Sequence, residues 1–323
     1  MRAIVVQKFG GPEVLQLDSD YPKPTLADNK VLLRVRCIGV NPVETYIRAG
    51  TYARLPQLPY IPGNDGAGTV EAVGSGVTAF KPGDRVFWTR PDNSGSYAEY
   101  CTSNESSIWS LPDSLTFEQG AALGVPYFTA YRALFAKCKA KPGDRVLIHG
   151  ASGAVGLAAV QLAAARGVHV YGTAGTTEGM KLVQNSGAIE VFNHRSPDYV
   201  QQVQASNPGG FNGIVEMLAN VNLAQDLEWL APTGIACVVG CRGSIEINPR
   251  LMMGKESSVV GCALNSANEA DWKEMGAAIT AGIAKGHLKP IVSKVFPLAD
   301  AASAHKEVIE STGAMGKVVL AVD

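Results

Sequence analysis

The sequence has almost no charge imbalance and no long apolar run. Among its 323 residues, 28 Lys and Arg stand against 29 Asp and Glu, which gives a formal net charge of −1. A protein without a basic field has no overall attraction for nucleic acid or for an anionic membrane. Every apolar run is shorter than the ~18 residues that a membrane-spanning helix requires, and the first residues lack a signal-peptide cleavage pattern. We therefore expect a cytoplasmic protein.

Cysteine pairs with metal-binding spacing are also missing. The six cysteines form no C-x-x-C motif; they are Cys37, Cys101, Cys138, Cys237, Cys241 and Cys262. Most lie in apolar, strand-like runs, which is typical of buried thiols in a reducing compartment. Cys237 and Cys241 lie in one predicted strand, where strand rise separates them by about 13 Å, too far for a disulfide or a shared zinc. We expect no metal site at the cysteines.

The composition fits a folded protein of two domains. Hydrophobic residues make up 46% of the chain and charged residues 18%, so a sizeable core can form. The first part, up to residue 124, contains short β-like runs at 31–37, 68–73 and 85–88, punctuated by Gly and Pro. We expect a compact, mostly β domain there.

From about residue 126, predicted strands alternate with predicted helices. Such alternation indicates an α/β domain with a doubly wound parallel sheet. Six strands are predicted, at 145–149, 169–173, 190–193, 213–217, 235–240 and 258–264. A predicted helix at 269–285 and a closing strand at 316–322 are expected to return to the first domain. A cofactor would lie in the cleft between the domains, at the carboxyl ends of the parallel strands.

The segment 145–175 is the most informative stretch of the chain. A predicted strand is followed by small residues at 150–156, a helix-prone run at 157–165 and a second strand, which is the order of a dinucleotide-binding unit. The glycines are spaced as Ala151-x-Gly153-x-x-Gly156, with alanine in place of the usual first glycine. Gly153 lets the backbone approach a pyrophosphate at the helix N-terminus, and Gly156 lets helix and strand pack closely.

The residues after the second strand favour NADP over NAD. NAD-binding proteins place an acidic residue about twenty positions after the glycines, where it binds the ribose 2′-hydroxyl. Here residues 172–177 read GTAGTT and contain no carboxylate that would repel a 2′-phosphate. Lys181, His194 and Arg195 are the candidate partners of that phosphate.

Seven segments carry a resemblance to a known family. They are NPVETYIRAGTY (41–52), PGNDGAGTVEAVG (62–74), GSYAEY (95–100), VPYFTAYRAL (125–134), HGASGAVGLAAVQLA (149–163), EMLANVNL (216–223) and KESSVVG (255–261). The chain resembles the zeta-crystallin-like quinone oxidoreductases of the medium-chain dehydrogenase/reductase superfamily over essentially its whole length. The resemblance implies a GroES-like catalytic domain at 1–124, completed by 265–323, and a Rossmann domain at 125–264 that binds NADPH.

The resemblance also assigns individual residues to the cofactor. The residues that match its pyrophosphate contacts are Ser152, Gly153, Ala154 and Val155. Those expected around the adenosine ribose and its 2′-phosphate are Gly175 and His194, and the one at the nicotinamide end is Tyr46, with Asn41 beside it. The other residues expected along the cofactor are Asn222, Val239, Gly240, Cys241, Arg242, Cys262, Ala263 and Leu264.

The chain departs from the zinc-dependent members of the same superfamily. Those alcohol dehydrogenases hold a catalytic zinc through cysteines and a Gly-His-Glu segment. At the matching positions this chain has Asn41 and Asn64, and neither provides the thiolate or imidazole that zinc prefers. Without such a Lewis acid, an acceptor that needs little electrophilic help is favoured.

A quinone is such an acceptor. Hydride adds to a ring that its own carbonyl groups already polarise, and water can protonate the stabilised phenolate. The protein need only hold donor and acceptor together, exclude water and donate a hydrogen bond. Tyr46, Tyr52 and Asn41 are the candidates for that bond, and the sequence identifies no dedicated general acid. One-electron and two-electron transfer both remain open.

Two other functions remain open at this stage. An NADPH-dependent reductase of α,β-unsaturated aldehydes or ketones would use the same fold and cofactor, with Tyr52 or Tyr127 as the donor that protonates the enolate. A protein that binds NADPH with little turnover, as a structural or an RNA-binding protein, is the other possibility. The near-neutral charge does not support RNA binding.

The sequence also predicts self-association. The apolar runs 235–239 and 257–264 are expected at the edge of the cofactor-binding sheet, where two subunits can pair through a continuous sheet. We expect a homodimer at least, and the resemblance implies that a homotetramer is possible.

Overall fold

The computed structural model describes residues 1–92 and 95–322. The chain forms two compact units. Unit 1 contains Met1–Val125, Pro290–Ser311 and the segment from Gly316 onward; unit 2 contains Pro126–Lys289 and Thr312–Met315. The sequence assigned 265–289 to the first domain, but the structure places these residues in unit 2. The reason is the helix at 269–284, whose Trp272 packs on Phe128 with ring centroids 5.2 Å apart.

The described residues form fifteen strands. In chain order they are β1 Ala3–Val5, β2 Gln16–Asp18, β3 Lys30–Gly39, β4 Asp65–Val73, β5 Arg85–Thr89, β6 Tyr100–Asn104, β7 Ile108–Ser110, β8 Arg145–Ile148, β9 His169–Ala174, β10 Glu190–Asn193, β11 Phe211–Glu216, β12 Leu230–Val238, β13 Ser258–Gly261, β14 Val292–Pro297 and β15 Lys317–Ala321.

The described residues also form ten α-helices. They are α1 Pro42–Ala49, α2 Phe117–Ala121, α3 Gly124–Tyr131, α4 Ala154–Ala164, α5 Thr177–Asn185, α6 Tyr199–Ser206, α7 Ala219–Trp229, α8 Arg250–Met253, α9 Glu269–Ala284 and α10 Ala301–Glu310. Short 3-10 turns lie at Pro12–Val14, Glu105–Ser107, Leu264–Ser266 and Leu298–Asp300, and α3 continues as a π-helical segment at Arg132–Lys137. Within residues 1–92 and 95–322, no helix is long and apolar enough to cross a membrane.

Unit 2 contains the predicted doubly wound sheet. Its six strands are all parallel, in the order β10-β9-β8-β11-β12-β13. The winding reverses between β8 and β11, and ligands of open α/β sheets bind at such a switch point, outside the carboxyl ends of the strands. The strand interiors are apolar on both faces, as in β8, where Val146, Leu147 and Ile148 are buried. The predicted α/β fold is confirmed.

Unit 1 is mostly β, as predicted. A seven-stranded sheet has the order β14-β15-β3-β4-β5-β7, and β6 also pairs with β3. β3 lies in its centre because it pairs antiparallel with β4, β6 and β15. Its buried side chains Val31, Leu33 and Ile38 join Trp88 in one apolar core. Strands β3 to β7, from the first part of the chain, and β14 and β15, from its last part, therefore build one sheet.

Some predicted bounds were wrong. β12 begins at Leu230 and ends at Val238, so Cys241 lies beyond the strand that contains Cys237. β13 ends at Gly261, and Leu264 begins a 3-10 turn instead of closing the strand. β13 is the edge strand of its sheet, as predicted, whereas β12 lies inside it, between β11 and β13.

Candidate functional site

The turn after β8 is held against the neighbouring strand β9. Gly150 has φ +55, a conformation that favours glycine. Its amide donates to the hydroxyl of Thr173 at 3.1 Å, and the amide of Ala151 donates to the carbonyl of Thr173 at 2.8 Å. These bonds fix the backbone at the point where it leaves the sheet and enters α4.

The N-terminus of α4 has the geometry of a phosphate cradle. Gly153 is the N-cap, and no side chain of the described residues caps the helix, so its first amides point outward at the positive end of the helix dipole. A Cβ on Gly153 would make one ordinary van der Waals contact, 3.4 Å from the carbonyl oxygen of Gly150, so the position is not crowded. A Cβ on Gly156 would lie 2.6 Å from the Cα of Ala151. The two predicted glycine roles, approach and packing, fit this geometry, and so does a pyrophosphate.

Gly175, His194 and Arg195 meet at the ends of β9 and β10. A Cβ on Gly175 would lie 2.8 Å from Nε2 of His194 and 2.9 Å from Nε of Arg195. Desolvation of the ring, and then the charge of Arg195, lower the pKa of His194. Glu178, in the first turn of α5, is exposed and is the first carboxylate after β9. Here a guanidinium and an imidazole stand together at the place expected for a 2′-phosphate.

Lys181 lies on α5 and is exposed. Thr176 is the N-cap of α5, and its hydroxyl accepts a hydrogen bond from the amide of Gly179 at 3.0 Å. A role for Lys181 as a phosphate ligand stays a prediction.

The remaining predicted cofactor residues follow the carboxyl ends of β11, β12 and β13. Nδ2 of Asn222 donates to Oε1 of Glu216 at 3.1 Å, and the amide of Val239 donates to the carbonyl of Glu216 at 2.8 Å. Ala263 is exposed and Cys262 and Leu264 are half-buried. Three predicted residues follow the end of β12. Gly240 is half-buried and packs on the carbonyl of Met217, and Cys241 is exposed. The amide of Arg242 donates to Oδ1 of Asn220 at 2.8 Å.

A buried ionisable cluster lies directly behind the phosphate cradle, and sequence reasoning missed it. Nε2 of His149 lies 2.8 Å from Oδ1 of Asp226 and 3.5 Å from Oε2 of Glu216. All three residues are buried. The carboxylates outweigh the burial of the ring and raise the pKa of His149 to about 8, whereas burial above all raises the pKa of Glu216 to about 7. His149 and Glu216 therefore both titrate near neutral pH, as a coupled pair.

The cluster also contains unpartnered polar atoms. Oε2 of Glu216, Oδ2 of Asp226 and the Tyr199 hydroxyl have no hydrogen-bond partner among the described residues. The three ligand-type atoms lie within 4.8 Å of one another, a spacing that a metal ion could use. However, the 2.8 Å contact of His149 with Asp226 is an ordinary hydrogen bond. The only sequence signal is Glu216, an acidic residue that ends an apolar strand.

Asn41 lies at the centre of a buried polar network in unit 1. It is the N-cap of α1 and is buried. Its Nδ2 donates to Oδ2 of Asp65 at 2.9 Å and to Oε1 of Glu44 at 3.1 Å, and its Oδ1 accepts from Nζ of Lys317 at 2.5 Å. Both hydrogens of the amide are therefore engaged within the protein. The predicted role of Asn41 as a direct hydrogen-bond donor to an acceptor does not fit this geometry.

Glu44 receives more hydrogen bonds than any other side chain in this network. Oε1 accepts from the amide of Asn64 at 3.0 Å and from its Nδ2 at 3.3 Å. Oε2 accepts from the amide of Asn41 at 2.9 Å and from the Tyr97 hydroxyl at 2.9 Å. Burial raises the pKa of Glu44, while these donors favour the carboxylate.

The network extends from Glu44 to a second basic group. The Tyr97 hydroxyl lies 3.0 Å from Nε2 of His305, and Nδ1 of His305 lies 3.4 Å from Nη1 of Arg48. Burial, and then the charge of Arg48, lower the pKa of His305 to about 3. The ring is thus neutral, with its proton on Nε2, because Nδ1 faces a guanidinium donor.

A cavity of about 560 Å³ lies in unit 1 beside this network. Its walls come from α1, from the segment before β4 and from the segment after β5. The lining residues with polar side chains are Glu44, Arg54, Gln57, Tyr60, Asn64 and Asp92. The volume lies within the range of small-molecule sites.

The predicted tyrosines have different environments. Tyr46 lies on α1 and Tyr52 in the following loop, and both are half-buried. Tyr127, the alternative proton donor, is buried in unit 2, where its hydroxyl donates to Oε1 of Gln161 at 2.8 Å. Burial raises the pKa of Tyr127 far above its usual value. The hydroxyl of Tyr127 is therefore not accessible to a substrate.

Comparison with known proteins covers both units. Residues 27–113 match the family described as the alcohol dehydrogenase GroES-like domain, and residues 154–281 match that described as zinc-binding dehydrogenase. The chain is 53% identical to quinone oxidoreductase of Rattus norvegicus and 52% identical to that of Homo sapiens, in each case over 99% of this chain and 97% of the relative. The structure of Escherichia coli quinone oxidoreductase complexed with NADPH superposes with a TM-score of 0.88 at 31% identity, over 99% of this chain and all of that one.

Proposed function

The chain belongs to the zeta-crystallin-like quinone oxidoreductases of the medium-chain dehydrogenase/reductase superfamily, and from that premise we propose that it reduces quinones with NADPH. One observation of the structure carries the cofactor preference. Gly175, His194 and Arg195 are in contact at the ends of β9 and β10, where a 2′-phosphate would be bound. The choice of a quinone as the electron acceptor rests on the two relatives at 52–53% identity, which are named quinone oxidoreductases.

Unit 2 holds the cofactor in this proposal. The uncapped amides at Gly153, Ala154 and Val155, together with Ser152, bind the pyrophosphate. His194 and Arg195 bind the 2′-phosphate beside Gly175, which has no side chain to fill the space. The residues after β12 and β13 line the remainder of the cofactor. NADPH supplies the reducing equivalents, and the protein supplies position and electrostatics.

Unit 1 holds the acceptor. Lys317 donates to the oxygen of the Asn41 amide, and Asp65 and Glu44 accept its two hydrogens, so Asn41 acts as a rigid support. Tyr46 and Tyr52 are half-buried and can donate to a carbonyl oxygen. Since the reduced quinone is a stabilised phenolate, water can deliver the final proton, and no buried general acid is required.

The assembly and location belong to the same proposal. We propose a homodimer that pairs through the edge strand β13, and a cytoplasmic enzyme without a nucleic-acid partner, in keeping with the net charge of −1. Sedimentation as a single species at the 33.9 kDa chain mass would contradict the dimer. Reduction of conjugated enals is the less favoured alternative, because one of its two candidate donors, Tyr127, is buried and only Tyr52 remains.

A turnover assay tests the function. The purified protein is mixed with NADPH or NADH, and loss of the reduced nicotinamide absorbance is followed on addition of an ortho-quinone or a conjugated enal, with and without a zinc chelator. NADPH-selective, chelator-insensitive turnover of the quinone is expected. Turnover of the enal alone would replace the proposal with an alkene reductase, and binding without turnover would replace it with a nucleotide-binding role.

A further inference from the structure

The cavity in unit 1 contains one anchored hydrogen-bond donor. Nδ2 of Asn64 donates one hydrogen to Oε1 of Glu44 at 3.3 Å, and the Asn64 amide donates to the same oxygen at 3.0 Å. The first bond orients the side chain, and the second holds the backbone beside it. Among the described residues, neither the second hydrogen of Nδ2 nor Oδ1 has a partner. Asn64 is half-buried and lines the cavity.

The backbone at Asn64 is also fixed. Gly63 has φ +105, and a Cβ there would lie 2.5 Å from Cδ1 of Tyr97, so the chain can pass close to that ring only with glycine. The carbonyl of Asn64 accepts from the amide of Arg90 at 2.9 Å. Both ends of the residue are therefore held, and its free amide hydrogen has a defined position.

The other buried polar groups of the wall cannot donate into the cavity. Both oxygens of Glu44 already accept hydrogen bonds, and a carboxylate does not donate. Asp92 is also an acceptor and pairs with Lys30 at 2.9 Å. The Tyr60 hydroxyl is itself buried, so it does not face the cavity. Arg54 and Gln57 have donors, but both are exposed and solvated.

We propose that the electron acceptor binds in this cavity with a carbonyl oxygen accepting a hydrogen bond from Nδ2 of Asn64. Glu44 orients the amide, and its negative charge pulls on the Asn64 hydrogens from the side opposite to the acceptor. The residue that recognises the carbonyl is therefore Asn64, since the hydrogens of Asn41 are already engaged. This proposal rests on the function proposed above and names the part of unit 1 that performs it.

Binding without turnover isolates the hydrogen bond. The protein loaded with NADP⁺ cannot transfer hydride, so titration calorimetry with phenanthrenequinone measures binding alone. Phenanthrene has the same rings without the carbonyl groups and serves as the matched ligand. Asn64→Ala should raise the Kd of the quinone by about 3- to 10-fold, the range for one neutral hydrogen bond. The Kd of phenanthrene and that of NADPH should stay unchanged.

A control variant removes the same kind of amide outside the cavity. Gln7→Ala removes an exposed primary amide of unit 1 that does not line the cavity, and the Kd of the quinone should not change. An equal rise of that Kd in Gln7→Ala and Asn64→Ala would overturn the assignment to Asn64. If Asn64→Ala weakened the binding of quinone and of phenanthrene by the same factor, the assignment would also be overturned, because Asn64 would then only shape the cavity.

A crystal structure of the wild-type protein with NADP⁺ and the quinone needs no variant. A carbonyl oxygen within about 3.2 Å of Nδ2 of Asn64 is the expected result, and a quinone bound elsewhere would overturn the proposal. Failure of the proposed function and failure of the proposed site give different results. If wild-type protein does not oxidise NADPH with any quinone, the proposed function fails, and with it this site. If wild type turns over the quinone and Asn64→Ala binds it equally well, only the assignment to Asn64 fails.

Discussion

The ammonium nitrogen of Lys317 lies 3.1 Å from Oδ2 of Asp65, and their side chains are 3% and 0% exposed. Lys317 begins β15 and Asp65 begins β4, so the pair joins the two segments of the chain that build the sheet of unit 1. Asp65 is further held by the amide of Val125, which donates to Oδ1 at 2.7 Å. Asn41 completes the group by binding both partners. A buried charge pair of this kind is costly to break, because removing one partner leaves the other charge without compensation.

Lys317→Met should therefore strongly destabilise the protein. The substitution keeps most of the side-chain volume but leaves the carboxylate of Asp65 unpaired, and we expect a loss of about 3–5 kcal/mol in the free energy of unfolding. Urea denaturation at pH 7, followed by tryptophan fluorescence, measures it. Lys294→Met is the matched control, because Lys294 pairs with Glu307 at 2.9 Å with its side chain 55% exposed. That variant should lose no more than about 1 kcal/mol, and similar losses in the two variants would show that burial of the pair is unimportant.

The sequence predicts the elements of this protein better than its polar network. The predicted strand at 190–193 coincides with β10, and the predicted helix at 269–285 differs from α9 by one residue, because local apolar periodicity determines both. The roles of Gly153 and Gly156 were predicted from their spacing together with the strand and helix around them, and these roles stay predictions. Lys317 and Asn41, by contrast, are 276 residues apart, and no local sequence pattern predicts the hydrogen bond between them. For the same reason the sequence could propose Asn41 as a donor without showing that both of its hydrogens are engaged.

The preference for NADPH can be tested at the cap of α5. Thr176 caps the helix through its hydroxyl, and Asp and Asn are equally good caps, so Thr176→Asp adds charge with little structural change. The new carboxylate beside Gly175 should repel the 2′-phosphate and raise the Kd of NADPH at least tenfold, while the Kd of NADH changes little. Thr176→Asn adds the same shape without charge and should leave both values close to wild type. Fluorescence titration with each cofactor provides the numbers, and a parallel loss of NADPH and NADH would place the 2′-phosphate elsewhere.

The two glycines of the cradle should separate binding from folding. A Cβ on Gly153 meets nothing closer than 3.4 Å, so Gly153→Ala should fold normally, yet its methyl group would stand where the pyrophosphate approaches. We expect at least a tenfold weaker binding of NADPH and an unchanged melting temperature. In Gly156→Ala the methyl group would lie 2.6 Å from the Cα of Ala151, which forces α4 away from the turn, so the melting temperature should fall by several degrees. Calorimetric melting without cofactor distinguishes the two; a large thermal loss in Gly153→Ala would show that the position is crowded.

The cluster of His149, Glu216 and Asp226 should make the stability depend on pH above neutrality. The pKa of His149 is raised from 6.5 to about 8, so its contribution is complete below pH 6.5 and is lost as the pH rises through 8. Glu216 acts in the same direction at lower pH, because its pKa is raised from 4.5 to about 7 and its contribution is lost between these two values. The other groups that face the cluster are Tyr199, from α6, and His194, after β10.

Urea denaturation at pH 6.5 and pH 8.5 tests this expectation. Wild type should be less stable at the higher pH, and His149→Gln should show a smaller difference between the two. His287→Gln removes an exposed histidine and should retain the wild-type difference. His305 does not interfere with this comparison. Its pKa is lowered to about 3, so it affects stability mainly below pH 6.5. In that range the unfolded chain takes up a proton that the folded ring does not. A His149→Gln variant with the full wild-type pH dependence would assign the effect to other groups.

Tyr127→Phe decides whether a buried tyrosine takes part in the chemistry. The Tyr127 hydroxyl donates to Oε1 of Gln161. The same oxygen also accepts from the amide of Lys289 at 2.9 Å, so Gln161 keeps a partner when the hydroxyl is removed. We expect a loss of about 1 kcal/mol in stability and an unchanged ratio of enal to quinone turnover. Tyr52→Phe is the comparison, because Tyr52 is half-buried and is the remaining candidate donor of the enal pathway. If Tyr127→Phe abolished enal reduction and spared quinone reduction, the hydroxyl would have to leave Gln161 during turnover, and α3 would have to open to let a substrate reach it.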